Sequence, residues 1–113
     1  MTYGTQPMGQ EGNDMSVLMV RSRIKVEGAA EVEAAVSKMF ATIEQVRPRG
    51  VRYASCRLPD GVTYVVMLAL DDPAVNPLAE IPAFTEFQEN LKGWLAEPPT
   101  VEQLTVADSY QLF

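Results

Sequence analysis

The feature that most constrains this chain is the stretch 49–72, in which two β-prone runs flank the tetrapeptide LPDG at positions 58–61. Proline presets φ at the first central position of a type I turn, aspartate suits the next position, and glycine accepts a positive φ. The stretch therefore predicts a β-hairpin. A three-residue loop would pair Leu58 with Val62, Cys56 with Tyr64, and Ala54 with Val66.

Both faces of this predicted hairpin are apolar enough to require cover, since residues two apart on a strand share a face. One face would hold Cys56, Leu58, Val62, Tyr64, Val66, Leu68 and Leu70. The other would hold Val51, Tyr53, Ser55, Arg57, Thr63, Val65 and Met67. We therefore expect a layer of structure packed on each side of the hairpin.

Length and charge limit the class of protein. A chain of 113 residues fits one domain with a single hydrophobic core. Its net charge is −6 without a basic cluster, which argues against a nucleic-acid partner. The sequence contains neither a run long enough to span a membrane nor the pattern of a signal peptide. One cysteine cannot form an internal disulfide, and this fits a cytoplasmic protein.

The chain contains no histidine. Histidine is the commonest general base near neutral pH and the commonest metal ligand. Its absence excludes Ser-His and Cys-His catalytic pairs and every His-ligated zinc site. We therefore expect no metal site and no cofactor.

Composition and periodicity divide the chain into a polar tail and one domain. Residues 1–14 show no apolar periodicity and are predicted to be disordered, so the domain spans 15–113. Alternation predicts strands over 16–26 and 100–113. Apolar spacings of three and four predict helices over 29–46 and 82–96. With the hairpin, the order is βαββαβ.

This order predicts an α+β, ferredoxin-like fold, with a four-stranded antiparallel sheet and two helices on one face. The helices would cover Leu18, Val20, Tyr64, Val66 and Leu68. The opposite face would carry Val17, Met19, Val51, Tyr53, Val65 and Met67, together with Arg21, Arg23 and Arg57. So large an apolar patch is unusual on a monomer, and a second copy is its simplest cover. We therefore expect a homodimer through the sheet face, with Glu102 and Asp108 near the arginines.

Over residues 16–113 the chain resembles the dimeric α+β barrel superfamily, particularly antibiotic biosynthesis monooxygenase-like domains. The resemblance lies in the strand order, the hairpin GVRYASCRLPDGVTYVVMLAL, and the helix entry IPAFTEFQENLKGWL. It implies a dimer and a pocket between sheet and helices. Members include cofactor-free oxygenases of phenols or quinols, haem-degrading enzymes, isomerases and proteins without an assigned role.

The chain departs from this family at two positions. Many members end the third strand with Glu-x-Trp, where this chain has Leu68-Ala69-Leu70. Many carry a histidine before the first aromatic of the second helix, where this chain has Ala83 before Phe84. The catalytic residues of the family therefore cannot be transferred, and haem degradation is disfavoured because no histidine can ligate the iron.

Three side chains are candidates for binding a substrate. Tyr64 and Trp94 could line a pocket between sheet and helices, and as core residues they would look the same. Arg52 is expected on the helix side near a strand end, where it could hold a substrate oxygen, although a surface position is the default for arginine. Cys56 is expected to be buried and inert rather than a nucleophile.

Two functions from different classes remain. The chain resembles small cofactor-independent monooxygenases that act on aromatic or quinone-like substrates. The alternative is a non-catalytic dimeric domain that binds a small ligand or another protein. A polar-lined pocket on the helix side would favour the enzyme, and a core filled by Phe84, Phe87 and Trp94 would favour the alternative.

Overall fold

The computed structural model describes residues 16–112. The predicted disordered tail, Met15 and Phe113 lie outside this range. The strands are β1 (Ser16–Arg23), β2 (Val51–Arg57), β3 (Thr63–Leu70) and β4 (Thr100–Leu104), and the α-helices are α1 (Ala29–Val46) and α2 (Pro82–Trp94). Short 3₁₀ turns at Val26–Gly28 and Pro77–Glu80 precede the two helices.

The four strands form one sheet in the order β2-β3-β1-β4, and every neighbouring pair is antiparallel. Both helices pack on the same face of this sheet, where Val32 of α1 forms a buried cluster with Ile24 and Tyr64, and Leu91 of α2 packs against that cluster. The ferredoxin-like prediction is therefore confirmed.

Helix α1 turns its apolar stripe towards the sheet, with Val32 and Met39 buried. It ends where the sequence predicts, because Arg47 adopts a left-handed conformation with φ of 52° and its N–H donates to the carbonyl of Ile43. Pro48 follows, and a residue before proline is disfavoured in the α conformation.

Helix α2 begins with Pro82 at its first turn, as predicted, and buries Phe87. Its C-terminal end is joined to the end of β1. The N–H of Lys25 donates to the carbonyl of Trp94 at 2.8 Å, and the N–H of Ala96 donates to the carbonyl of Arg23 at 2.8 Å. These bonds hold α2 across the helix-covered face.

The hairpin turn forms at the predicted tetrapeptide, but its loop is one residue longer than predicted. The N–H of Gly61, which has φ of 78°, donates to the carbonyl of Leu58, whose own N–H donates to Thr63 rather than to Val62. The Asp60 carboxylate accepts from the backbone N–H groups of Val62 and Thr63, both at 2.9 Å. These bonds draw Val62 into the loop.

The longer loop reverses the faces predicted for β2, because a shift of one residue turns every side chain over. Arg57 lies opposite Tyr64 and Tyr53 opposite Leu68, so Val51, Tyr53, Ser55 and Arg57 lie on the helix side. Arg52 and Cys56 lie on the other side. The predicted faces of β1 and β3 agree with the observed pairing.

The last strand is shorter than predicted, with five residues, Thr100–Leu104. Leu104 pairs with Val17, one position from Ser16, where β1 begins. Beyond Leu104 the described part of the chain therefore offers β4 almost no partner strand, and residues 105–112 form no strand.

None of the helices within 16–112 is both long enough and apolar enough to cross a membrane.

Candidate functional site

A cavity lies between the sheet and the two helices. The strands line it with Ser22, Ile24, Tyr53, Ser55, Tyr64 and Val66. The helices line it with Val32, Val36 and Met39 of α1 and with Phe87 and Leu91 of α2. Its walls are mostly apolar, and the polar groups that reach it belong to two serines and two tyrosines.

The cavity exists because two helix-facing positions of the sheet carry small side chains. Ser22 lies opposite Tyr64 on β1, and Ser55 lies opposite Val66 on β2. Each serine has a single atom beyond Cβ and fills less space than the valine or leucine that such a core position usually carries. The sheet therefore leaves a gap beneath the helices at these two positions.

The cavity volume is about 30 Å³. A single water needs about 10–15 Å³ by this kind of measure, whereas sites for drug-sized ligands span about 300–1,000 Å³. The space therefore accommodates water as it stands. A ring would enter only if side chains such as Met39 and Leu91 moved, and methionine adapts its shape readily.

An aromatic cluster lies beside the cavity at Tyr53. The Tyr53 ring stacks on Phe40 of α1 with a centroid distance of 5.1 Å and meets Phe84 of α2 edge-on at 5.9 Å. Burial raises the pKa of Tyr53 to about 12, because the charged phenolate loses its hydration there. The phenol is therefore protonated at neutral pH and can donate a hydrogen bond.

A cation lies on the helix side near the Tyr64 end of the cavity. The Arg57 guanidinium contacts the Glu33 carboxylate of α1 at 3.2 Å, and Arg57 lies opposite Tyr64 in the pairing of β2 with β3. The charge of Glu33 is the main cause that raises the pKa of Arg57. The arrangement combines a fixed positive charge and a hydroxyl group with an apolar space.

The structure brings only one of the three predicted binding residues to the cavity. Tyr64 lines it. Trp94 packs elsewhere, against Gly28, where an added Cβ would lie 3.0 Å from the indole Cδ1, and against the cluster of Ile24, Val32 and Tyr64. Trp94 is not among the residues that line this cavity.

The predicted positions of Arg52 and Cys56 were wrong. The β2 register places Arg52 opposite Ala69, on the face away from the helices and from the cavity. Cys56 lies on that same face and is exposed, not buried. Both errors follow from the extra residue in the loop.

Sequence reasoning missed Ser22, Ser55 and Arg57 as residues of the site. The signal that could have found them is Asp60, because an aspartate side chain that bonds to the backbone two and three residues later favours a longer turn. A longer turn would have moved Arg57 to the helix side. In the part of the chain that is described, no group of three or more Cys, Asp or Glu side chains could hold a metal ion.

The fold and the cavity define the class of protein: a small ferredoxin-like domain with an internal site between its sheet and its helices. More particularly, the chain has the fold of antibiotic biosynthesis monooxygenase-like domains, as the sequence resemblance implied. No protein-family model matches the sequence, and no curated protein sequence matches it. The likeness therefore comes from solved structures.

Three of these structures illustrate it. An antibiotic biosynthesis monooxygenase-like protein from Nitrosomonas europaea matches with a TM-score of 0.69 and 18% identity, over 85% of this chain and 92% of its own. One from Caulobacter crescentus matches with a TM-score of 0.69 and 16% identity, over 89% and 99%. SnoaB, a cofactor-independent oxygenase from Streptomyces nogalater, matches as a variant with a TM-score of 0.64 and 19% identity, over 87% and 98%. At these identities the likeness establishes the fold.

Proposed function

We propose that the domain is a cofactor-independent monooxygenase that binds an aromatic or quinone-like substrate between its sheet and its helices. The observation that carries the proposal is the cavity, which has the Tyr53 aromatic cluster beside it and Tyr64, the cross-strand partner of Arg57, in its wall. The fold that the chain shares with SnoaB, an oxygenase that needs no cofactor, supports this reading.

The proposed reaction needs few catalytic groups from the protein, because the substrate itself reduces dioxygen. A phenol that has lost its proton can transfer electrons to dioxygen. When its para carbon is free it becomes a quinone, one oxygen atom entering the new carbonyl and the other leaving as water, and the phenol supplies all four electrons. The protein has to exclude water and stabilise the developing anion. In this proposal Tyr64 and Arg57 stabilise the anion, and a bound ring displaces water from between the apolar walls.

The test is oxygen uptake with a panel of phenols and quinols, measured in the presence of a chelator and with ¹⁸O₂. We expect one labelled oxygen atom in the product. Tyr64→Phe should slow the reaction while leaving the folded state intact, and a thermal melt beside each rate separates the two effects. Neither uptake nor binding across the panel would contradict the proposal.

The size of the cavity favours a second candidate, a non-catalytic domain that binds a small ligand. A space of about 30 Å³ is small for a substrate pocket, and its mostly apolar walls lack the polar lining that would favour the enzyme. In this case a bound phenol should be recovered unchanged after incubation with the protein in air, whereas the oxygenase would return a quinone.

We also propose that the domain forms a homodimer through the face of the sheet away from the helices. Met19, Val65 and Met67 lie together there and are partly exposed, and Leu104 of β4 borders them. A second copy would remove this apolar surface from water. The cytoplasmic location suggested by the single cysteine stays a prediction.

A further inference from the structure

Arg57 is unusual among the arginines of the sheet because it lies on the helix side. The pairing of β2 with β3 places it directly opposite Tyr64. Glu33 is the main cause of the raised pKa of Arg57, and the proximity of the Tyr64 side chain also contributes. The other arginines of the described strands lie on the opposite face: Arg21, Arg23 and Arg52. Among the arginines of the described strands, Arg57 therefore lies on the face that borders the cavity.

The ion pair of Arg57 with Glu33 is open to exchange. The two side chains are 45% and 62% exposed. Ion pairs this exposed add little to the free energy of unfolding, because water screens them and two long side chains lose freedom. A guanidinium group has five N–H donors, so Arg57 can exchange or share the Glu33 carboxylate with another anion at little cost to folding.

The Tyr64 hydroxyl complements this arginine. Guanidinium groups only donate, so a contact between the two side chains uses the Tyr64 oxygen as acceptor and leaves the hydroxyl hydrogen for a further acceptor. Tyr64 also lines the cavity, as does Ser55, two residues before Arg57 on the same face of β2. The donors of Arg57 and Tyr64 thus lie where an apolar space begins.

We propose that Arg57 and Tyr64 form an anion-recognition site that selects aromatic ligands carrying a carboxylate or phenolate oxygen, with Glu33 as the competing anion in the free protein. The aromatic ring of the ligand enters the cavity, and its charged oxygen binds at Arg57. This inference rests on the proposed function only in placing the ligand between sheet and helices. A local positive charge is needed for anion binding in this chain, because its net charge of −6 otherwise repels anions.

The experiment compares two probes of the same ring, 2-naphthoate and its neutral alcohol 2-naphthylmethanol, titrated into the full chain at pH 7 by calorimetry and amide NMR. A charge-assisted hydrogen bond should make 2-naphthoate bind about tenfold tighter. Both probes should shift the amide signals of Ser22 and Ser55, which line the cavity.

Three variants isolate the role of the charge. Arg57→Gln should remove the preference for 2-naphthoate. Arg52→Gln, on the same strand but on the opposite face, is the matched control and should keep the preference. Glu33→Gln should tighten 2-naphthoate binding, because it removes the competing carboxylate. If the ion pair is merely structural, Arg57→Gln and Glu33→Gln should change the affinity for 2-naphthoate in the same direction. Opposite changes in affinity therefore identify anion recognition by Arg57.

Three results would overturn the inference: 2-naphthoate that binds no tighter than the alcohol, an Arg57→Gln variant that keeps the preference, or a Glu33→Gln variant that binds 2-naphthoate more weakly. The outcome is distinct from that of the oxygenase test. Selective 2-naphthoate binding without oxygen uptake would support the anion site and contradict the oxygenase proposal. Oxygen uptake that Arg57→Gln leaves unchanged would support the oxygenase proposal and contradict the anion site.

Discussion

The two faces of the sheet carry similar apolar side chains, but the helices cover only one of them. The face beneath the helices combines buried side chains, such as Ile24 at 2% exposure, with a gap that Ile24 lines together with Ser22 and Ser55. The opposite face buries Val17 and Ala69 completely but leaves Met19 and Met67 partly exposed. The first face therefore borders a cavity within one chain, and we expect the second to need a partner copy.

The comparison also shows how strongly a face depends on register. β1 and β3 lie in the middle of the sheet, and their alternating apolar residues have the predicted orientation. β2 lies at the edge, and both of its faces carry a mixture of apolar and polar residues. The extra residue in the loop therefore exchanged the side chains that face the helices for those that face away. That one additional loop residue decides whether Arg57 or Arg52 lies on the face that borders the cavity.

The largest effect should come from the packed part of the helix side. Ile24→Ala should lower the free energy of unfolding by about 2–5 kcal/mol, because it removes buried methyl groups and leaves a cavity. Urea denaturation measures the change. Val26→Ala is the control, since Val26 is 75% exposed, and should stay within about 0.5 kcal/mol of the unmodified chain. Equal losses at both positions would contradict the description of this core.

The next effect concerns the opposite face. Sedimentation of the unmodified chain at micromolar concentration should give about 25 kDa, twice its 12.5 kDa mass. Met67→Glu should give a folded monomer, because Met67 lies opposite Met19 and Ala54 and the dimer would bury a charge with no cation directly opposite it. Val101→Glu is the control: its side chain is 58% exposed on the helix side of β4, and the dimer should survive. A monomeric unmodified chain would refute the proposed dimer.

A smaller effect should appear at alkaline pH on the helix side. The raised pKa of Tyr53, about 12, means that the folded state holds its proton where the unfolded state, with a pKa near 10, loses it. Unfolding then releases a proton, so the free energy of unfolding should fall with rising pH by up to about 1.4 kcal/mol per unit between these values.

Denaturation between pH 9 and 12 measures this slope for Tyr53. Tyr53→Phe should flatten it, because phenylalanine has no proton to lose. Tyr110→Phe is the control, since Tyr110 is 85% exposed, and should leave the slope unchanged. A Tyr53→Phe variant with the slope of the unmodified chain would show that the phenol is not desolvated as described.

The smallest effect should come from the turn that sets the register. Hydrogen bonds from the Thr63 hydroxyl and from the backbone N–H groups of Val62 and Thr63 hold the pKa of the Asp60 carboxyl below its usual value. A depressed pKa contributes stability above the unfolded-state pKa, and this contribution is lost as pH falls through the folded-state pKa. Asp60→Ala should therefore lose stability at neutral pH and less at acid pH.

Thermal melts between pH 7 and pH 2 compare Asp60→Ala with Asp60→Asn, which keeps an accepting oxygen but cannot titrate. Asp60→Asn should retain part of the neutral-pH stability and lose the acid dependence of this group. Equal melting profiles for Asp60→Ala and the unmodified chain would mean that the carboxylate does not hold the loop.

Local patterns in the sequence determined the elements and their order. Pro82, Pro48 and the turn at 58–61 act through their own backbone restrictions, so the ends of α1, the start of α2 and the hairpin turn followed without tertiary contacts. The periodicity of the helices and of the central strands was strong enough to identify their buried sides.

Only the tertiary structure decided the composition of the site. The bonds of Asp60 set the length of the loop, and the loop determined that Arg57 and Tyr53, rather than Arg52 and Cys56, face the helices. The position of Trp94 depended on the approach of α2 to Gly28, and the length of β4 depended on where its partner begins. The last two outcomes follow from contacts between distant segments, which no local pattern of residues records. The bonds of Asp60 are local, but the residues that they bring to the helix side are settled only when β2 pairs with β3.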